Sequence, residues 1–166
     1  RDDLQGLGDW VVSKDVWPNG LKPLIDKVKS CGMEFGLWFE GEMVQIDSDL
    51  YRAHPEWILN SHGRVPPSGR RQHVLDITHE GAYQHVLSQV DAVLSEFDIA
   101  YIKWDHNKFL IEPGHENNAA VREQTLAIYR LFDELKNRHP GLEIESCASG
   151  GGRIDYGMAM HADRIW

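Results

Sequence analysis

The stretch YIKWDHN at residues 101–107 closes a short apolar run with a lysine, an aspartate and an asparagine. A short apolar run bounded by polar residues is typical of a buried β-strand. Lys103 and Asp105 are two positions apart, so their side chains project from the same face of such a strand, whereas Trp104 projects from the other face toward a layer of helices. A strand with a purely structural role has no need of this ending, which therefore indicates a chemical site.

Apolar strands and amphipathic helices alternate on both sides of this stretch. The predicted strands are FGLWFE (35–40), HVLDIT (73–78), residues 99–105, LEIESCA (142–148) and RIW (164–166). The predicted helices lie within residues 20–32, 81–97 and 121–139. Strands separated by helices form right-handed parallel βαβ units, which leaves two architectures, a doubly wound open sheet and a (β/α)8 barrel.

The glycine pattern and the strand endings decide between these two architectures. A dinucleotide-binding open sheet requires GxGxxG after its first strand, and SGGGR at 149–153 has the wrong spacing and lacks the Lys-Ser/Thr of a P-loop. Polar residues instead follow the strands, as in barrel enzymes; they are Glu40, Asp76, Asp105 and Cys147. A barrel of about 250 residues uses about 31 per unit, so we predict an α/β fold, a partial (β/α)8 TIM barrel with about five of the eight strands.

Composition and charge exclude several classes of protein. Hydrophobic residues make up 42% of the 166 residues and charged residues 26%, which is typical of one globular domain. A formal charge of −9 argues against nucleic-acid partners, and no apolar run approaches the roughly 20 residues of a membrane span. Two distant cysteines, Cys31 and Cys147, exclude a disulfide scaffold, and the histidines lack a metal-binding pattern. We therefore expect no metal or other cofactor, and a cytoplasmic location.

Six strings follow one another along the chain: GLGDW, GLWFEGEM, SDLYRAHPEW, RRQHVLDIT, YIKWDHN and ESCASGGGRID. With them, residues 1–166 resemble a central fragment of the catalytic TIM barrel of family 36 glycoside hydrolases, the bacterial-type α-galactosidases. Both ends of the sequence interrupt the strand–helix pattern, so we expect a piece of a longer protein. The resemblance implies that an N-terminal β-rich domain, the first barrel strand and a C-terminal part lie outside it.

The resemblance implies a retaining mechanism with a covalent glycosyl-enzyme intermediate, carried out by two carboxyl groups about 5–5.5 Å apart. It assigns the nucleophile to Asp105, in the Lys-Trp-Asp string, and the acid/base aspartate to a position beyond Trp166. Asp163, just before the last strand, is a poor substitute. Asp2 and Asp3 do not match the aspartate pair with which the family's first strand holds galactose.

The resemblance also implies a set of sugar-binding residues. Trp38, whose residue type suits a core position equally well, would pack its ring on the apolar C–H groups of the sugar. Arg71, which could instead form a solvated charge pair with Arg70, matches the family's Arg-x-Gln string and would donate hydrogen bonds to sugar hydroxyls. Lys103 would do the same, and its positive charge would favour the ionised form of Asp105.

Three further positions complete the predicted pocket. Asn107 would bond the sugar 2-hydroxyl, a contact that tightens in the transition state. Cys147 and Gly150 would form the pocket wall, because glycines after a strand let the backbone approach a ligand closely. A free cysteine is also commonly just a buried residue, so Cys147 has a structural alternative.

The loop after the strand FGLWFE carries two glutamates and one departure from the family. Glu40 and Glu42 resemble a catalytic carboxylate pair, but the family pattern gives catalysis to aspartates, so we assign them either structural roles or roles in supporting the residues that contact the sugar. Gly41 stands where the family usually has proline, and this difference is expected to loosen the loop.

We therefore predict a retaining glycoside hydrolase that releases terminal α-linked galactose from galacto-oligosaccharides of the melibiose or raffinose type. An α-galactosyl transferase of the raffinose-synthase type uses the same intermediate, and a non-catalytic sugar-binding fragment belongs to another class; both alternatives stay open. The partner would be a small oligosaccharide, with neither nucleic acid nor membrane involved, and the full-length protein could form homo-oligomers. Residues 1–166 alone, without the acid/base group, are expected to be inactive.

Overall fold

A computed structural model describes residues 5–166, so Asp2 and Asp3 lie outside the described residues. The helices are α1 (Lys22–Ser30), α2 (Asp49–Ala53), α3 (Glu80–Glu96), α4 (Val121–Arg138) and α5 (Tyr156–His161), with a 3₁₀ helix at Pro55–Trp57. The strands are β1 (Gly36–Phe39), β2 (Met43–Val44), β3 (His73–Val74), β4 (Tyr101–Trp104), β5 (Gly114–His115), β6 (Asn118–Ala119), β7 (Glu143–Ser146) and β8 (Arg164–Ile165). Strands β1, β4, β7 and β8 lie within segments predicted as strands, and α1, α3 and α4 match the predicted helices.

Four of these strands form one parallel sheet in the order β1-β4-β7-β8. Helix α3 precedes β4, α4 connects β4 to β7, and α5 connects β7 to β8. Because consecutive strands of the sheet are neighbours and are joined through helices, the arrangement is a series of βαβ units, as in part of a TIM barrel. The predicted α/β class and the partial barrel are confirmed.

The predicted number of about five strands is too high, because the segment 73–78 does not join the parallel sheet. Its residues pair antiparallel instead: β3 pairs with β2, and Leu75 forms a bridge with Ile58. The backbone N–H of Leu75 donates to the carbonyl of Glu42, just before β2 (2.8 Å), and that of Ile77 donates to the Gln124 side chain (3.1 Å). Leu75 and Ile77 are nevertheless fully buried. The apolar run is therefore a core segment, which periodicity alone does not distinguish from a buried strand.

The helices bury one apolar face each against the sheet. The α3 face consists of Val86, Leu87, Val90, Val93 and Leu94. The α4 face consists of Ile128, Leu131, Phe132 and Leu135. Trp104 lies between the sheet and α4, with its ring 5.6 Å from that of Phe132, centroid to centroid. The prediction that Trp104 faces the helices is confirmed, and its neighbours Lys103 and Asp105 consequently project from the opposite face of the sheet.

Gly41 lies where the Trp104 ring meets the loop after β1. A Cβ atom on Gly41 would stand 2.3 Å from Cη2 of Trp104 and 2.9 Å from Cγ1 of Val86. Both neighbours are buried, so neither has room to move away. Gly41 thus allows Trp104 and Val86 to pack closely against the loop, and the expectation that it loosens the loop stays a prediction.

We expect Gly41→Ala to destabilise the folded protein by about 1–3 kcal/mol, the usual cost of inserting an atom into a packed core. Urea unfolding of the full-length protein, followed by tryptophan fluorescence, measures the change. Trp104→Phe removes the ring atoms that lie nearest to Gly41, so the same substitution should cost less in that background. An equal cost in both backgrounds would contradict the proposed overlap.

Candidate active site

The carboxyl ends of the four parallel strands bring four side-chain positions into one row. The register pairs Phe39 with Trp104, Trp104 with Ser146, and Ser146 with Ile165. The residues that follow these positions are Glu40, Asp105, Cys147 and Trp166. Asp105 therefore lies between Glu40 and Cys147, at the edge of the sheet where barrel enzymes carry their active sites.

Asp105 is a buried carboxylate that accepts several hydrogen bonds. It is 8% exposed; its Oδ2 accepts from Nε1 of Trp38 (3.1 Å), and its Oδ1 accepts from the backbone N–H of His106 (2.9 Å). Burial alone would raise its pKa, but hydrogen bonds from Asn107, Trp38, Cys147 and the His106 backbone outweigh burial and lower the pKa below its ordinary value. Asp105 is therefore an anion at neutral pH.

Lys103 shares the face of Asp105, as predicted, but its ion pair is with another residue. Its Nζ lies 3.3 Å from Oε1 of Glu145, the residue beside it on β7, and 3.1 Å from the ring centroid of Trp166. The prediction that the charge of Lys103 holds Asp105 ionised is therefore corrected. Hydrogen-bond donors, chiefly Asn107 and Trp38, stabilise that charge instead.

The side chain of Trp38, which donates to Asp105, also lines a cavity, although Asp105 is not one of the residues that line it. Trp38 is 42% exposed, so it is not the core residue that its type would also allow. The cavity has a volume of about 510 Å³, and its polar lining includes Glu40, Arg70 and Gln72. An open aromatic face beside an anion and hydrogen-bonding groups suits a sugar, which has apolar C–H faces and polar hydroxyls.

Arg70, not Arg71, lines this cavity. Both arginines are exposed and have a positive φ, 54° for Arg70 and 60° for Arg71, but only Arg70 lines the cavity, and its charge acts on the buried carboxyl of Glu40. The sequence contained the signal that distinguishes them, because an Arg-x-Gln string ending at Gln72 begins at Arg70. The string and the cavity both favour Arg70 as the sugar-binding arginine, and the role of Arg71 stays a prediction.

The loop after β4 and the glycine loop after β7 meet beside Asp105. The backbone N–H of Asn107 donates to Oε1 of Glu40 (2.6 Å), and Oδ1 of Asn107 accepts from Oγ of Ser149 (3.0 Å). Asn107 thus connects three loops, those after β1, β4 and β7. Sequence reasoning did not single out Ser149, which no motif distinguishes from an ordinary loop serine.

Cys147 and Gly150 lie together, as predicted for a pocket wall. The thiol of Cys147 is 4% exposed and accepts a hydrogen bond from the backbone N–H of Gly150 (3.4 Å). Burial raises the pKa of the Cys147 thiol, and the charge and hydrogen bonding of Asp105 raise it further, so the group stays protonated. Gly150 has a φ of 93°, in a region that favours glycine.

Glu42 holds the glycine loop after β7 (residues 149–153) in place through Arg153. Its buried carboxylate accepts from Nε1 of Trp104 (3.0 Å) and from a guanidinium nitrogen of Arg153 (2.7 Å). Burial alone raises the pKa of Glu42, but the charge of Arg153, with contributions from His106 and Trp104, lowers it below its ordinary value. Glu42 therefore has the structural role predicted for it.

Residues 5–166 contain neither a metal-binding cluster nor a membrane-spanning helix. No group of three or more His, Cys, Asp or Glu side chains in this part of the chain is arranged to hold a metal ion. None of the helices described there has the length and apolar character needed to cross a bilayer.

The model of the Melibiase family matches residues 1–166, the whole of the sequence. The chain belongs to the Melibiase family. The resemblance to family 36 glycoside hydrolases is thereby confirmed, since solved members with this fold are described as GH36 α-galactosidases. Among curated Melibiase relatives, an α-galactosidase of Escherichia coli is 47% identical over 166 residues, which is 100% of this chain and 23% of that protein.

Solved structures of Melibiase relatives have the same fold. AgaB of Geobacillus stearothermophilus is 39% identical, with a TM-score of 0.93 over 99% of this chain and 24% of that one. AgaA of the same organism is 38% identical, with a TM-score of 0.92 over the same shares. Variants of AgaA have been solved in complex with stachyose and with raffinose. This Melibiase chain thus spans about a quarter of the length of these relatives.

Proposed function

We propose that the full-length protein hydrolyses terminal α-linked galactose from oligosaccharides of the melibiose or raffinose type, with retention of configuration. The observation that carries this proposal is the anionic carboxylate of Asp105 at the carboxyl edge of the parallel sheet, hydrogen-bonded to Trp38, whose ring is exposed. The complexes of AgaA variants with stachyose and raffinose support the substrate class, because both are oligosaccharides and AgaA is a close relative.

In the first step, an oxygen of Asp105 bonds to the anomeric carbon while the bond from that carbon to the leaving-group oxygen breaks. The leaving oxygen takes a proton from an acid/base carboxyl group. In the second step, water attacks the anomeric carbon, the acid/base group takes a proton from this water, and the bond to Asp105 breaks. The free carboxylate of Asp105 is thereby restored.

The side chains around Asp105 hold the sugar in this proposal. Trp38 packs against the sugar ring and keeps one carboxylate oxygen of Asp105 in place. Lys103 and Arg70 donate hydrogen bonds to hydroxyl groups, while Asn107 bonds the 2-hydroxyl. Their fixed positions matter because a misplacement of about 1 Å can cost about 100-fold in rate.

The acid/base group comes, in this proposal, from beyond Trp166. Asp163 is already bound: its carboxylate accepts from the backbone N–H of Ile144 (2.9 Å) and from Nζ of Lys136 (2.8 Å). It also precedes β8, so it lies at the amino edge of the sheet, away from Asp105. Residues 1–166 alone should therefore show no turnover.

A cytoplasmic location is part of the same proposal. Cys31 and Cys147 are both free thiols, as is usual in reducing compartments. That the full-length protein forms homo-oligomers also remains a prediction.

We expect proton NMR of the full-length protein with an aryl α-galactoside to detect α-galactose as the first product, before mutarotation. Two successive displacements at one carbon retain its configuration. The isolated 166-residue chain is the matched control and should release no galactose. β-Galactose as the first product would contradict the mechanism, and galactose transfer to an added sugar in preference to water would favour the transferase. Sugar binding without turnover by the full-length protein would favour a binding role.

A further inference from the structure

Glu40 is the most buried carboxyl group next to Asp105, and the mechanism above gives it no task. It is 1% exposed. It follows β1 directly, and Asp105 follows the neighbouring strand at the same register. A carboxyl group in such a position costs free energy unless its oxygens are bonded. Its bonds therefore indicate what it holds in place.

Both oxygens of Glu40 are bonded to segments that carry proposed sugar-binding residues. Oε1 accepts from the backbone N–H of Asn107 (2.6 Å), and Oε2 accepts from the side-chain amide of Gln72 (3.1 Å). Asn107 is two residues from Asp105, and Gln72 is two residues from Arg70. The carboxyl group of Glu40 thus ties the loop after β4 to the segment before β3.

We propose that Glu40 is a positioning residue, which orients Asn107 toward the sugar 2-hydroxyl and fixes the segment of Arg70 through Gln72. This inference rests on the proposed function, because it needs a sugar at Asp105. Glu40 itself touches neither the anomeric carbon nor the leaving group in this proposal. It acts through the backbone of Asn107, so its effect should appear in the contact that Asn107 makes.

The charges around Glu40 agree with a positioning role. Burial raises the pKa of its carboxyl group, and the negative charge of Asp105 raises it further, against the opposing effects of Asn107 and Arg70. The pKa of Asp105 is lowered. When the two neighbouring groups share one proton, that proton consequently resides on Glu40. Asp105 remains the anion, as its role requires.

The test uses the full-length protein with two aryl α-glycosides, the galactoside and its 2-deoxy analogue. Glu40→Ala should lower kcat/KM for the galactoside by about 10- to 100-fold, because Asn107 loses its orientation. The loss should be several-fold smaller for the 2-deoxy substrate, which has no 2-hydroxyl to bind. Glu40→Gln keeps one acceptor oxygen on a side chain of the same length, so its kcat/KM should stay close to the wild-type value.

Asn107→Ala provides the second arm of this test. Once the Asn107 side chain is gone, adding Glu40→Ala should cost the same on both substrates, because only its effect through Gln72 and Arg70 then remains. Glu34→Ala, an exposed glutamate before the other end of β1, is the matched control and should behave as wild type. If Glu40→Ala fails to fold, Glu40→Asp withdraws the carboxyl group by one methylene, and should show a smaller loss with the same dependence on substrate.

The outcomes separate this inference from the proposed function. Equal losses of kcat/KM on both substrates would overturn it, since they indicate a general structural defect, and so would a fully active Glu40→Ala. Calorimetric binding of galactose and 2-deoxygalactose gives a readout that needs no turnover. If the wild-type protein binds but does not hydrolyse galactosides, the proposed function fails, and Glu40→Ala must still weaken galactose binding more than 2-deoxygalactose binding for this inference to stand.

Discussion

Replacing Asp105 by alanine in the full-length protein should lower kcat for an aryl α-galactoside by a factor on the order of 10⁴–10⁶, as expected when a covalent nucleophile is removed. The loss has a specific chemical rescue. Alanine leaves space at the position of the carboxylate, and a small anion such as azide can enter it and attack the anomeric carbon from the same side. The product should be β-galactosyl azide, identified by NMR.

The control for this experiment is Asp26→Ala, which removes an exposed carboxylate paired with Lys22 on the outer helix α1. It should leave kcat unchanged and should produce no galactosyl azide. An Asp105→Ala protein with wild-type turnover, or an inactive one that azide fails to rescue although it still binds galactose, would remove the nucleophile role from Asp105.

Glu42→Ala should lower the free energy of unfolding by about 3–5 kcal/mol, which is more than the loss expected for Gly41→Ala. Glu42 is 1% exposed, and it is the ion-pair partner of Arg153. The Arg153 side chain is 16% exposed, and within residues 5–166 its Nε and Nη2 atoms have no hydrogen-bond partner, so removing Glu42 takes away the hydrogen bond to Nη1 and leaves the cation poorly compensated. Nε1 of Trp104 would lose its acceptor as well. Urea unfolding at neutral pH measures the difference.

The dependence of the free energy of unfolding on pH provides an independent check of the ion pair between Glu42 and Arg153. The pKa of Glu42 is lower in the folded protein than in the unfolded chain, so its contribution to stability is present above the unfolded pKa and is lost as the pH falls through the folded pKa. The difference in stability between wild type and Glu42→Ala should therefore shrink in acid. Glu134→Ala, which breaks an exposed pair with Arg138, is the control and should leave the unfolding midpoint unchanged. A Glu42→Ala protein as stable as this control would contradict the account.

The sequence predicted the parallel strands and the long helices because their signals are local. The apolar residues at helical spacing are buried in α3 and α4, as predicted. The alternation of side chains along β4 correctly placed Trp104 on one face of the sheet and Lys103 and Asp105 on the other. The segment 73–78 differs from the prediction because its buried residues pair antiparallel with β2 and Ile58 and do not join the parallel sheet. A single sequence contains no signal that separates those two arrangements.

Contacts between strands were harder to predict than positions along them. Sequence spacing paired Lys103 with Asp105, since they are two residues apart on one face, but the sheet register brings Glu145 closer to the ammonium group. The partners of Glu40 likewise could not be predicted, because they are 32 and 67 residues away in sequence. Partners at such separations depend on the fold and not on a local motif.

The most direct test of the account is to identify the carboxylate that bonds to the sugar. The full-length protein, treated with 5-fluoro-α-galactosyl fluoride to accumulate the intermediate, is digested at low pH and its peptides are sequenced by mass spectrometry. The account predicts a single fluorogalactosyl adduct on Asp105, in the peptide that contains Trp104 and His106. An adduct on Glu40 or on any other residue would contradict it.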